Sequence, residues 1–262
     1  MARWYPPQPE EFGAIALPLW REALVGLDWL SLRASAVYRG NGIPHGDGSA
    51  VVLVPGFLGN DQYLGDMFSW LRRIGYQPYM SGIGRNAECP NILSDRLMET
   101  VDSAYLETRR KVHLIGHSLG GALACSVGVR QPHLVASVVT MASPLHAIRA
   151  HPMILGAAMV VRRRILSERD VEPECYSGSC SCDFVNSLRR PLPRSITHAA
   201  IYTKTDGIVD WHCCVNGDPK TDIEVQGTHV GLVFNPRVYR HVADVLASAA
   251  ERAQGLADSK SA

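Results

Sequence analysis

Residues Gly116-His117-Ser118-Leu119-Gly120 constrain this chain more than any other stretch. An apolar run, Val112-His113-Leu114-Ile115, precedes them, and a run without a breaker, Ala122 to Val127, follows. The first reads as a buried strand and the second as a helix, so the serine falls on the turn between them. In a Gly-x-Ser-x-Gly elbow the turn is so sharp that side chains two residues either side of the serine would collide, hence the glycines. The hydroxyl then projects above the carboxyl end of a sheet, in front of a helix N-terminus. With 23 glycines in 262 residues the pattern alone is weak. The strand before it and the helix after it carry the case.

The rest of the chain repeats that alternation. Ala50-Val51-Val52-Leu53-Val54 is a continuous apolar run of the kind a strand buried on both faces needs, and it ends at Pro55-Gly56-Phe57-Leu58-Gly59. Leu64, Met67, Phe68, Leu71 and Ile74 then share a helical face, with Gly75 as the stop. Tyr76 to Met80 is a short strand, and Pro90-Asn91 opens a helix whose Leu93, Leu97, Val101 and Tyr105 recur every four residues. Ser137 to Ala142, His198 to Tyr202 and Asp222 to Val225 complete the strands, and Pro236 leads into a last helix. Such alternation predicts an α/β fold, a mainly parallel sheet covered by helices on both faces and joined by right-handed crossovers. Residues 145–197 break the rhythm and read as a cap inserted between two strands, within a domain of residues 50–254. Residues 1–49 show no clear strand; they read as an extension whose helix, Leu17 to Leu32, sets Trp20, Leu24 and Leu27 on one face to pack on the domain. Residues 255–262 read as a frayed, disordered tail.

Composition excludes some classes of partner. Hydrophobic residues make up 46% of the chain, charged residues 19%, and the net charge is +1, with no basic stripe to follow a nucleic acid. No run reaches the roughly 18 apolar residues of a membrane span. The helix at 17–32 leaves room for peripheral membrane contact, although Arg21, Glu22, Asp28 and Arg33 are too mixed in sign to favour anionic lipid. Arg3 is followed by Pro6-Pro7-Gln8-Pro9, which interrupts any signal-peptide core, so the expectation is an unexported chain. The seven cysteines pull the other way: a structural disulfide would belong to an oxidising compartment, and one joining the cluster Cys175, Cys180 and Cys182 to Cys213 or Cys214 would pin the cap to the loop that follows the strand at His198 to Tyr202. Free thiols are the alternative. Cys-x4-Cys-x-Cys is not a standard zinc-ligand spacing, even with His212 nearby.

A serine hydroxyl is un-ionised at neutral pH, so Ser118 can be a nucleophile only with a base to take its proton and a carboxylate to fix that base. In this topology the acid and then the histidine follow the serine, each after a later strand. Asp206 follows the strand that ends near Lys204, and His229 follows the one that ends at Val225. Asp210 is the rival acid, four residues further along the same loop. His133, His146 and His151 come before the acid, and His117 is expected to point away from Ser118. The oxyanion needs two backbone donors, for which the amides of Leu119 and Phe57 are placed after the nucleophile and after an early strand.

Together, Gly-His-Ser-Leu-Gly, the Pro-Gly-Phe-Leu-Gly loop, Asp206 in Tyr-Thr-Lys-Thr-Asp-Gly-Ile-Val and His229 in Gly-Thr-His-Val-Gly-Leu-Val-Phe resemble the α/β-hydrolase superfamily, nearest to bacterial lipases and esterases. The resemblance spans residues 50–247 and departs where many lipases read His-Gly, this chain having Pro55-Gly56. It implies the α/β-hydrolase fold, a Ser118-Asp206-His229 triad, oxyanion amides at Phe57 and Leu119, no metal and no organic cofactor. The implied substrate is a small-molecule or lipid ester; the same triad also serves acyl transfer and thioester cleavage. The cap's Met153 and Leu155, if folded over the elbow, would offer an apolar surface to an acyl chain.

Overall fold

The computed structural model describes residues 12–169, 175 and 180–261. The elements run β1 (Phe12–Ala14), α1 (Val25–Ala34), β2 (Ala50–Val54), α2 (Gly65–Arg73), β3 (Gln77–Met80), α3 (Pro90–Thr108) and β4 (Val112–His117). Then come α4 (Leu119–Arg130), β5 (Val135–Met141), β6 (Ile148–Ala150), α5 (Pro152–Arg169), α6 (Asp183–Leu188), β7 (Thr197–Tyr202), β8 (Asp222–Glu224) and α7 (Pro236–Ser261).

Six strands form one parallel sheet in the order β3-β2-β4-β5-β7-β8. Every residue of β2, β4 and β5 is buried, which is why their sequences are apolar on both faces rather than alternating. Successive side chains feed opposite layers: Val51, Leu53 and Ile115 pack with α2 and α7, while Val52, Val54 and Leu114 pack with α3 and α4. Each such fully buried aliphatic side chain contributes roughly 1.5–3 kcal/mol. The chain leaves β2 toward β3 at one edge and returns across β2 to β4. Loops following strands that flank such a reversal diverge, opening a crevice at the carboxyl ends of β2 and β4.

The N-terminal segment differs from its sequence reading. It does contain a strand: β1 pairs in parallel with β6, Phe12 opposite Ile148 and Ala14 opposite Ala150. Three residues are too few to show a period, and their partner lies far along the chain. The expected single helix is a 3-10 turn, Leu19–Leu24, followed by α1. Its expected packing face points outward, with Trp20 70% and Leu27 65% exposed, while Leu32 is buried. The inward side instead carries Glu22 and Asp28, whose carboxylates approach the backbone of residues 207–231.

At the other end α7 continues to Ser261, past the expected fraying point at Gly255. One glycine costs a helix only about 1 kcal/mol, and the Ala, Leu and Lys around it favour continuation. The stretch 145–197 holds β6, α5 and α6, of which only a helix at Met153 to Ile165 was legible. All seven cysteines are unbridged. Cys213 and Cys214 are buried beside Ala150 and Val209, in a different cluster from Cys175, so no bridge runs between the two groups.

Glycines at the elbow are required by contact. A Cβ on Gly116 would overlap the backbone of Gly120 and Gly121, and one on Gly120 would overlap the carbonyls of Val54 and Pro55. Gly156, exposed on α5, has open space around it. Urea unfolding should therefore separate the two: Gly116→Ala is expected to lose about 3 kcal/mol or more, and Gly156→Ala to gain roughly 0.5–1 kcal/mol.

Candidate active site

Ser118 joins β4 to α4 with φ 52° and ψ −125°, a left-handed conformation that L residues other than glycine rarely adopt. The turn is held by Ser118 N–H donating to the Met141 carbonyl at 2.8 Å and Gly121 N–H donating to the Ser118 carbonyl at 2.9 Å. Backbone strain of this kind costs on the order of 1–3 kcal/mol and persists because the flanking sheet and helix over-determine it. Ser118 is 9% exposed and lines a cavity of about 240 Å³ with Gly56, Phe57, Tyr63, His117 and His229. A larger hollow of about 600 Å³, beside Cys125, Leu188 and His198, contains none of these residues.

The loops after β7 and β8 bring Asp206 and His229 together. His229 Nδ1 donates to Asp206 Oδ2 at 2.7 Å, and both side chains are almost fully buried. Asp206 Oδ1 accepts the Ile208 and Val209 amides at 2.8 and 2.7 Å, so the carboxylate is anchored by its own loop while its second oxygen faces the imidazole. With the proton on Nδ1, Nε2 of neutral His229 keeps its lone pair. Burial disfavours the imidazolium, but the Asp206 charge and hydrogen bond, joined by the Glu22 charge, outweigh it and raise the His229 pKa above 6.5. Asp210 is engaged elsewhere: it caps the turn at Trp211–Cys214, accepts from His212 Nδ1 at 2.7 Å and pairs with Arg149 at 3.4 Å.

Two features escaped the sequence reading. One is Glu22, in the N-terminal segment. Its Oε1 accepts the Gly207 amide at 3.1 Å and the His229 amide at 2.9 Å, and its Oε2 accepts the Val230 amide at 2.9 Å. A single carboxylate thus fastens the acid loop to the histidine loop. The Thr205 hydroxyl, donating to the Gly227 carbonyl at 2.6 Å, makes a second link. No local pattern could announce Glu22, because its partners are backbone amides about 200 residues away.

The other is His117, which turns into the site. Its Nε2 donates to the His229 carbonyl at 3.0 Å, and its Nδ1 accepts the Tyr63 hydroxyl. Its ring stands edge-on to that of His229, centroids 4.8 Å apart. Burial, helped by the positive tendency of His229, pushes its pKa down to about 3, which matches the neutral tautomer those bonds require. The elbow's second residue therefore props the histidine loop.

The loop after β2 is shaped by buried Asn86. Its side-chain amide donates to the Pro55 carbonyl at 2.8 Å, its backbone carbonyl accepts from Leu58 N–H at 2.8 Å, and its own N–H donates to the Gly59 carbonyl at 2.8 Å. Phe57 lines the cavity from this loop and packs on Val161 and Ile165 of α5. Of the cap residues read as substrate contacts, Met153 is 66% exposed and Leu155 packs beside Val209 and Cys213. The intervening Ile154 lines the cavity instead. Consecutive helix positions are rotated by about 100°, so the sequence located the helix but not which of its faces looks inward.

The fold is that of the α/β hydrolases. A family model described as the alpha/beta hydrolase fold matches residues 108–167, from the end of α3 through the elbow into α5. Over 103 residues the chain is 32% identical to a triacylglycerol lipase of Pseudarthrobacter phenanthrenivorans, 36% of this chain against 32% of that one. A triacylglycerol lipase of Burkholderia plantarii matches equally, over 36% of this chain and 29% of its own. The match thus spans about a third of the length of these curated relatives. Among solved structures, a Paleococcus ferrophilus monoacylglycerol lipase superposes with a TM-score of 0.55 at 17% identity, covering 79% of this chain and 97% of that one. A Bacillus licheniformis lipase gives 0.51 at 13%, covering 78% and 94%. This chain thus has the α/β-hydrolase fold, and about a third of it is similar in sequence to triacylglycerol lipases.

Glu22 yields a prediction about pH. Its charge favours the protonated form of His229, and a histidine acting as base must be neutral, so activity should rise as pH passes upward through a raised His229 pKa. Glu22→Gln keeps an acceptor but removes the charge. The acid limb of kcat/KM should move to lower pH, whereas a purely structural role would lower the plateau and leave the limb in place.

Proposed function

We propose that the protein is a serine hydrolase of carboxylic esters, with Ser118 as nucleophile, His229 as base and Asp206 as its orienting acid. The observation that carries this reading is the buried Asp206–His229 hydrogen bond facing the same cavity as a serine on a strained elbow. His229 Nε2 takes the Ser118 proton as Oγ attacks the ester carbonyl, and the imidazolium then protonates the departing alkoxide. Water, activated by the same histidine, attacks the acyl-enzyme carbonyl and releases the acid. The backbone amides of Leu119 and Phe57 serve the oxyanion, with the loop of Phe57 held by Asn86. Both the curated lipase relatives and the completeness of the residue set favour hydrolysis of esters over a silent binding role.

For the acyl side we propose a short chain. Phe57, Ile154, Ile208, Val209 and Val230 give the cavity apolar walls, and its roughly 240 Å³ falls below the ~300–1,000 Å³ of pockets that enclose larger ligands. With nitrophenyl esters, kcat/KM should drop at least about tenfold from butyrate to palmitate; equal rates along the series would remove the proposal of a short acyl pocket.

Substitutions test the triad. Ser118→Ala should abolish labelling by a fluorophosphonate and cut ester hydrolysis by about 10³-fold or more, and Asp206→Asn by a similar factor. Asp210→Asn should stay within about fivefold of the parent rate while losing about 1 kcal/mol of stability, as expected of a capping residue. An ester hydrolase that survives Ser118→Ala intact would reject the reading.

A further inference from the structure

Four cysteine thiols converge outside the set of residues that line the Ser118 cavity. Cys89 immediately precedes α3, Cys175 and Cys180 follow α5, and Cys182 immediately precedes α6. Cys175 Sγ lies 3.3 Å from Cys182 Sγ, 3.7 Å from Cys180 Sγ and 3.8 Å from Cys89 Sγ. The ligand atoms of Cys175, Cys180 and Cys182 all fall within 4.8 Å of one another.

These spacings bear on the possible readings of the cluster. Zinc–thiolate bonds of about 2.3 Å directed to the corners of a tetrahedron put the sulfurs about 3.8 Å apart. A disulfide brings one pair to about 2.05 Å and excludes other partners from those two sulfurs. Here Cys175 stands at comparable distances from three neighbours, and no pair is bonded. An iron–sulfur cluster, which inserts several atoms between its cysteines, would hold the thiols further apart than this.

Backbone and side-chain contacts also hold the cluster in place. The backbone amide of Cys182 donates to Cys180 Sγ at 3.4 Å. Amide donors of this kind stabilise bound thiolates. The Asn91 side chain accepts the Phe184 amide at 3.0 Å, holding the start of α3 against the start of α6, so that both ends of the cluster are fixed. An all-sulfur donor set selects a soft tetrahedral ion.

We propose that Cys89, Cys175, Cys180 and Cys182 bind one structural zinc ion. The ion would tie the segment after α5 to residues 87–89, a junction already made by the Arg164 guanidinium donating to the Ala87 carbonyl at 2.6 Å and by Arg169 paired with Glu88 at 2.8 Å. That junction adjoins Asn86, which shapes the loop of Phe57. Three ligands spaced x4 and x, with a fourth 86 residues upstream, match no standard zinc pattern, which is why the sequence assigns no metal here.

Elemental analysis of the purified full-length protein, prepared without chelator, tests this. About one zinc per chain is expected, retained in Cys125→Ala and lost in Cys175→Ser and Cys182→Ser, with circular dichroism reporting whether each variant has folded. Cobalt replacing the zinc should show intense thiolate charge-transfer bands and the visible bands of a tetrahedral thiolate site, weakened in Cys89→Ser. The wild-type measurement stands even if the variants fail to fold, and it does not depend on whether the protein cleaves esters. Metal-free wild-type protein that takes up neither zinc nor cobalt, or a disulfide found among the four cysteines by mass spectrometry of unreduced peptides, would overturn the proposal.

Discussion

The buried hydrogen bond between Asp206 and His229 is the interaction on which the site depends. A carboxylate withdrawn from water is costly unless its oxygens are satisfied, and here two backbone amides and one imidazole N–H satisfy them. The arrangement has a direction. Two of the three donors belong to the acid's own loop, which fixes the carboxylate, so the third oxygen contact is left to fix the imidazole and its tautomer. The strained backbone at Ser118 and the close contacts around Gly116 and Gly120 set the other partner with similar rigidity. A reactive row of side chains needs this stiffness, because misplacement by about 1 Å can cost catalysis a hundredfold.

That pair is supported by side chains to which the motifs assign no role. Glu22, His117 and Thr205 each reach the histidine loop or the acid loop through backbone groups. The N-terminal segment is accordingly part of the candidate site's architecture, which explains why its polar side faces inward and its Trp20 and Leu27 face out. The cap, through α5, closes the cavity with Ile154 and braces Phe57 with Val161 and Ile165. Core, extension and cap thus meet on a few short loops at one end of the sheet.

Much of this was legible in the sequence. Continuous apolar runs disclosed β2, β4 and β5 because a strand buried on both faces leaves no alternative composition. The elbow disclosed Ser118, and strand order alone brought Asp206 and His229 forward. What escaped was set by contacts between distant parts of the chain. The three-residue strands β1 and β6 exist only as a pair, and Glu22 acquires its role only when three remote amides fold onto it. Which residue of α5 lines the cavity, Ile154 rather than Met153 or Leu155, is not legible in the sequence, because the helix has few polar residues in its first turns to mark which side is wet. The cysteines showed their grouping only once Cys89 came beside Cys175.

The claim at the centre is that Asp206 holds a proton on Nδ1 of His229 inside the folded protein. Proton NMR reads this directly, since an imidazole N–H hydrogen-bonded to a buried carboxylate resonates far downfield of the amide region. One such resonance is expected in the native protein, persisting in Ser118→Ala and vanishing in Asp206→Asn and in His229→Gln. A spectrum without it at any pH where the protein is folded, or one in which it survives Asp206→Asn, would contradict the account.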